Sequence, residues 1–327
     1  MPKKKLKIGL IGCGGNMRSA HVSRIKADGA ADIVCVADPV KENAERLMEA
    51  WGSEVGHFAD FRKMIRSEDL DAIIISSPHS MHYEQASYAL RNKLHVLVEK
   101  PLTISPRHTK ALLALSKKQK RIIDVSYQRH YYAPHQYARE LVQTGAIGEL
   151  RGLVAYVTQN WGSISGWRLV PEFSGGGMFM DTGSHLVAAS LWISGLEPVE
   201  VSAIFDKADK NVDINGVVSV RFKGGAVGTL NTFGNARNHD ERLAIHGSKG
   251  CIVFHLHQWE LISVLVNNEP MEIPARIKES SPDAEFFKRI RNGGKGYEPP
   301  VFALQVAKLS EAAYKSWERR QPIRVAI

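Results

Sequence analysis

The sequence predicts an α/β chain in two parts: a parallel sheet with helices on both faces, then an α+β part built on a large open, mixed, mostly antiparallel sheet. Three observations carry this. Up to about residue 125, apolar β-branched runs alternate with helical stretches. The first of those runs ends in a glycine turn. From about residue 148 the pattern changes to long alternating runs joined by tight turns. In order, strands are expected at 6–12, 32–37, 71–76, 94–98 and 121–125, and helices at 40–50, 60–66, 79–92 and 106–118. A βαβ series of this kind makes a parallel sheet, whose functional residues lie just past the carboxyl ends of its strands.

The glycine turn gives the first part its chemistry. Residues 8–17 read Ile-Gly-Leu-Ile-Gly-Cys-Gly-Gly-Asn-Met, and Asp38 closes the next apolar run, 33–37. Gly12 lets the chain turn sharply out of the strand, and Gly14 lets backbone approach a pyrophosphate. The following helix offers unpaired N–H groups to the phosphates. Asp38 can accept hydrogen bonds from the adenosine ribose hydroxyls, and its charge repels a 2′-phosphate, so NAD is favoured over NADP. These are the features of a Rossmann dinucleotide-binding domain, expected over residues 1–126. Met17 stands where the third glycine of the fingerprint would fall, which predicts looser packing of helix on strand.

In the second part, residues 127–327, alternating runs lie at 148–160, 198–205, 216–222, 225–232, 241–246, 250–256 and 260–266. Turns such as Lys223-Gly224-Gly225 and Gly247-Ser248-Lys249-Gly250 join neighbouring runs as hairpins. Helices are expected at 283–292 and 300–318. The part is read as binding substrate and mediating oligomerisation.

Composition narrows the setting. At 327 residues, 44% hydrophobic and 24% charged, the chain is long enough for two domains with their own cores. No apolar run reaches the 18 or so residues that would span a bilayer. The basic start, Met-Pro-Lys-Lys-Lys-Leu-Lys, is followed by too short an apolar run for a signal peptide. Cys13, Cys35 and Cys251 have no metal-ligand spacing and suit a reducing cytoplasm. The net charge of +9 is spread along the chain, with dense clusters only at 3–7 and 117–121. It is read as solvated faces with attraction for an anionic cofactor, with no nucleic acid and no membrane as partner.

Three segments could carry chemistry. Glu99-Lys100-Pro101 follows an apolar run, and Lys100 there can hydrogen-bond a substrate hydroxyl and stabilise a developing alkoxide, although a surface ion pair would read the same way. Ser77-Pro78-His79-Ser80-Met81-His82 opens a helix, where backbone can pack on the nicotinamide ribose and either histidine could simply cap or pack. In Gly175-Gly176-Gly177-Met178-Phe179-Met180-Asp181-Thr182-Gly183-Ser184-His185, Asp181 and His185 are four apart, which places both on one helix face. Such a pair is either helix-stabilising or a proton-transfer unit, and its apolar setting after three glycines favours the second. Asp181 and His185 could ligate a metal, but no further ligand stands at a recognisable spacing, so metal-free chemistry is expected. His255 and His257 are read as strand-edge decoration.

Together the glycine turn, Glu99-Lys100-Pro101 and Asp181-Thr182-Gly183-Ser184-His185 make the chain resemble the glucose-fructose oxidoreductase / inositol dehydrogenase family (Gfo/Idh/MocA) over nearly its whole length. Ser77-Pro78 with His82 is similar to that family's Thr-Pro-Asn-x-x-His turn. Residues 126–149 resemble its inter-domain segment, and Trp167-Arg168 matches a further feature. The resemblance implies reversible oxidation of a ring hydroxyl in a sugar or cyclitol, with Lys100, Asp181 and His185 as the catalytic set. It places Gly12, Gly14, Gly15, Asn16, Met17, Asp38, Ser77, Pro78, His82, Glu99, Lys100 and Arg168 against NAD. Lys100, Tyr127, Arg129, Tyr156, Asn160, Trp161, Asp181 and His185 become candidates for substrate contact. Ala188 stands where many members carry an aspartate, so substrate contacts do not transfer simply. The family also admits redox-neutral glycoside cleavage, and the fold a non-enzymatic dinucleotide-responsive regulator. An open sheet face is expected to pair copies into a homodimer or homotetramer.

Overall fold

The computed structural model describes residues 4–295, 297 and 300–325, so the first three residues of the basic start lie outside the described residues. In chain order the first part runs β1 (Leu6–Ile11), α1 (Val22–Asp28), β2 (Ala31–Ala37), α2 (Lys41–Trp51), β3 (Gly56–Phe58), α3 (Phe61–Ser67), β4 (Ala72–Ile75), α4 (His82–Arg91), β5 (His95–Val98), α5 (Pro106–Gln119) and β6 (Ile123–Val125). Then come α6 (Ala133–Gln143), β7 (Leu150–Asn160), α7 (Pro171–Ser174), α8 (Thr182–Ser194), β8 (Pro198–Asp206), β9 (Asn215–Phe222), β10 (Val227–Phe233), β11 (Asn235–Gly247), β12 (Cys251–His257), β13 (Glu260–Val266) and β14 (Glu269–Pro270). The chain closes with α9 (Pro282–Arg291), α10 (Phe302–Arg319) and β15 (Ile323–Arg324).

The chain divides into two units. One comprises Met1–Thr103, Arg107–Gln128 and Ser280–Val301; the other comprises Ile104–Pro106, Arg129–Glu279 and Phe302–Ile327. The first holds a six-stranded sheet in the order β3-β2-β1-β4-β5-β6, parallel throughout. The order reverses between β1 and β4, which is where a doubly wound sheet opens a crevice for a ligand. The strands are apolar along their length because helices cover both faces. Ser280–Val301 returns to this unit because Phe286 and Phe287 of α9 are buried in its core with Ile8, Leu10 and Ile25. A single cut at residue 126 omits that return, since an amphipathic helix does not declare which sheet it will cover.

The second unit holds a nine-stranded sheet, β14-β13-β12-β11-β7-β10-β9-β8-β15. Among the described residues only β7 with β10 pairs parallel in this sheet; the other neighbours are antiparallel. Its central strands alternate. Leu153, Ala155 and Val157 of β7 and Val218, Val220 and Phe222 of β9 are buried on the helix-covered face. Val154, Ile204, Val217 and Val227 stand 42–75% exposed on the other. α8 packs against β7, β10 and β11 and against α6 and α10, so it is buried on nearly every side and is not amphipathic.

Candidate active site

In the first unit the loops after β1, β2, β4 and β5 are tied to one another. Gly12 has φ +83°, and a Cβ there would lie 2.7 Å from the Ser76 carbonyl oxygen, so only glycine lets β1 turn out beside the end of β4. A Cβ at Gly14 or Gly15 would meet nothing within 4 Å, which leaves the helix-opening turn clear for a pyrophosphate. Asn16 Nδ2 donates to Ser76 Oγ at 3.3 Å. The Asp38 carboxylate accepts the Cys13 N–H at 2.8 Å on one oxygen and the Val40 N–H at 2.9 Å on the other, so its charge is fixed at the end of β2. These residues fit a dinucleotide with a free ribose 2′-hydroxyl.

Two candidates for cofactor contact turn inward. Met17 opens a π-helical turn, Met17–His21, and its side chain is fully buried with Ile8, Leu10 and Val22, so the missing third glycine is absorbed by core packing. His82 is fully buried, with Nδ1 at 2.9 Å from the Pro101 carbonyl and Nε2 at 3.0 Å from the Ser77 carbonyl. Its ring clamps the loop after β4 to the loop after β5. Burial pulls its pKa below the usual histidine value, against the two carbonyls that favour charge. Ser77 Oγ donates to Gln85 at 2.6 Å, and Pro78 precedes a short turn, His79–Met81, that leads into α4.

Glu99 and Lys100 sit at the end of β5, and the Lys100–Pro101 peptide is cis. One Glu99 oxygen accepts the Lys100 N–H at 3.2 Å, and the other lies 3.0 Å from His21 Nε2. His21 Nδ1 in turn lies 2.6 Å from Asp283, on α9. Burial works against a charge on His21, but Asp283 and Glu99 outweigh it and push its pKa up to about 9. Because the folded value lies above the ordinary 6.5, the network adds stability below about pH 6.5 and loses it as pH rises through 9. The melting temperature of the parent should therefore exceed that of His21→Gln most below pH 7, with the gap narrowing by pH 9.5 in thermal denaturation. A gap that stays constant over that range would rule out a charged His21.

In the second unit the three glycines fold onto Asp213. Its carboxylate accepts the Gly177 N–H at 2.6 Å, the Phe179 N–H at 2.8 Å and the Tyr314 hydroxyl at 2.7 Å. A Cβ on Gly177 would run into the Asp213 backbone, and one on Gly176 into Tyr314. This turn delivers the chain into α8. Asp181 is the residue before the helix, with non-helical backbone angles and no side-chain capping bond, so it does not share a helical face with His185 as its spacing suggested. Arg168 Nε donates to Asp181 Oδ2 at 2.6 Å, and the Ser184 hydroxyl donates to the Asp181 carbonyl at 2.8 Å. Arg168 thus grips the carboxylate within this unit, while its guanidinium also lies 4.4 Å from the Trp167 ring. His185 lies one turn into α8 and is 6% exposed.

The remaining substrate candidates separate. Arg129 is buried in an ion pair with Glu241 of β11. Tyr127 is buried in the first unit. Trp161 is 1% exposed, and its Nε1 donates to Gln159, which also accepts the Thr182 hydroxyl, so it braces the end of β7 and offers no face to a ligand. The Asn160 side chain accepts the Gly162 N–H at 2.9 Å, closing a local turn. Tyr156 projects to the sheet face opposite α8, where its hydroxyl donates to Asp240 at 3.0 Å, so strand alternation removes it from Asp181 and His185. Asp213, Gln159 and Glu241 were not legible as site residues, because each acts through a partner far away in sequence.

Residues 6–127 match the model described as oxidoreductase family, NAD-binding Rossmann fold, and residues 135–253 match the GFO/IDH/MocA C-terminal domain. The dTDP-3,4-didehydro-2,6-dideoxy-alpha-D-glucose 3-reductase of Saccharopolyspora spinosa is 25% identical over 95% of this chain and 97% of its own. The myo-inositol 2-dehydrogenase of Thermotoga maritima is 25% identical over 98% of each. Among solved structures, levoglucosan dehydrogenase in complex with NADH and L-sorbose superposes with a TM-score of 0.84 at 24% identity, covering 98% of this chain and 99% of that one.

Proposed function

Because this chain belongs to the Gfo/Idh/MocA family of NAD-binding oxidoreductases, we propose that it reversibly oxidises a secondary ring hydroxyl of a sugar, sugar derivative or cyclitol, with NAD as the hydride partner. Oxidoreduction of sugars or cyclitols is what its named relatives share. The observation that carries the finer reading is the Asp181–Arg168 pair at the head of a buried α8 that also holds His185. A carboxylate gripped by an arginine is held in one orientation and can in turn orient a hydroxyl.

In this reading His185 removes the hydroxyl proton, Asp181 orients the hydroxyl or its neighbour, and the Lys100 ammonium hydrogen-bonds the same oxygen as its negative charge grows. Bound NAD supplies the acceptor for the hydride. Gly12, Gly14, Gly15 and Asn16 would line its pyrophosphate and Asp38 its ribose, where a fixed carboxylate disfavours the 2′-phosphate of NADP. The assay is NADH absorbance with NAD, and separately with NADP, across inositols, neutral monosaccharides, uronic acids and glycosides. NADH should appear with at least one ring polyol and with NAD preferred. Tight NAD binding with no NADH from any of them would overturn the reading.

The apolar open face carrying Val154, Ile204, Val217 and Val227 supports assembly of copies into a dimer or tetramer. A monomeric mass at micromolar concentration in analytical ultracentrifugation would remove that proposal.

A further inference from the structure

The hairpin joining β12 to β13 is built in an unfavourable way. His257 pairs with Glu260, which leaves Gln258 and Trp259 as a two-residue loop with φ of +49° and +72°. Two consecutive positive φ values belong to a type I′ turn, which selects Asn-Gly. The next hairpin obeys this preference, with Asn267 and Asn268 at φ +54° and +69°. A tryptophan in the left-handed region is an outlier, and such residues persist where the position serves a purpose other than stability.

The indole is not spent on core packing, since Trp259 is 39% exposed. It stands edge-to-face to the His185 ring, centroids 5.7 Å apart at 68°, and to His239 at 4.3 Å and 84°. The Arg129 guanidinium lies 5.6 Å from the ring. Arg129 is 3% exposed, and its Nη2 is paired with Glu241. Among the described residues, Arg129 Nη1 and His239 Nε2 have no hydrogen-bond partner. An aromatic wall beside two polar groups with unused hydrogen-bonding capacity matches the two faces of a pyranose or cyclitol, one of C–H groups and one of hydroxyls.

We infer that Trp259 is the platform on which the substrate ring stacks beside His185, with Arg129 Nη1 and His239 Nε2 hydrogen-bonding its hydroxyls, and that the site selects neutral rings over uronic acids. The charge preference follows from Glu241, which already balances Arg129, so that Nη1 seeks a neutral oxygen. This inference rests on the ring-hydroxyl reading above and deepens it by naming a specificity residue.

The test compares the parent with Trp259→Gly and Trp259→Phe. Glycine suits the turn, so Trp259→Gly should fold and melt at a higher temperature than the parent. With the best neutral substrate of the NADH panel, Trp259→Gly should raise KM about tenfold or more, the equivalent of about 1.4 kcal/mol, with a smaller change in kcat. Trp259→Phe should recover part of the loss. Saturation-transfer NMR with that sugar, or with methyl glucoside if the panel yields no NADH, reads ring contact without turnover, so failure of the platform and failure of the dehydrogenase reading are distinguishable. The inference is overturned by a KM within twofold of the parent in Trp259→Gly, by NMR transfer that the substitution leaves unchanged, or by a parent that prefers the uronate.

Discussion

Replacing His185 with alanine is expected to lower kcat by about 10²- to 10⁴-fold while leaving NAD affinity within a few-fold of the parent. The imidazole lies one turn into a buried helix and is not among the residues assigned to the pyrophosphate or the ribose, so NAD affinity should change little. Lys100→Ala should also lower kcat steeply, since it removes the cation assigned to the developing oxyanion. The two effects should be less than additive in the double variant, because both residues are assigned to the same oxygen. Steady-state NADH formation and NAD titration by protein fluorescence give the two quantities. A His185→Ala variant within tenfold of the parent would mean that another group moves the proton.

Asp213→Ala is expected to be the most damaging single change to the second unit, at about 3–5 kcal/mol in denaturant unfolding, because it strands several buried donors at once. The Gly177 and Phe179 N–H groups and the Tyr314 hydroxyl all lose their acceptor, and the triple-glycine turn loses the anchor that sets the start of α8. Burial raises the Asp213 pKa, and the three donors oppose that rise by favouring the carboxylate. Asp213→Asn keeps the shape but turns one oxygen into a donor facing a donor, so an intermediate loss is expected. If Asp213→Asn matches the parent in stability and kcat, the carboxylate is not what holds the turn.

The parallel sheet and its glycine turn were legible in the sequence, because they depend on local periodicity and on residues a few positions apart. The open sheet was legible for the same reason, strand by strand. Facing was harder. Tyr156 and Trp161 both lie near the end of β7, yet one projects to the open face and the other is buried against Gln159, a distinction that depends on register and not on composition. α6 has a clear amphipathic period with Pro134 in its first turn, but it lies between two motif-rich segments that drew the reading, and β3, at three residues, is too short for any period to show. Trp259 was invisible because Gln-Trp carries no turn signature; the strain that marks it exists only in the fold.

The return of α9 to the first unit bears on how the chain acquires its structure at the ribosome. The strands of the dinucleotide-binding sheet are all made by residue 125, but Phe286 and Phe287, and the Asp283 that holds His21, come more than 150 residues later. The half of the protein synthesised first is therefore the one that must wait, with an unfilled gap in its core, until most of the other half has emerged. A fragment ending at residue 127, although it spans the whole nucleotide-binding sequence match, would be left permanently in that unfinished condition.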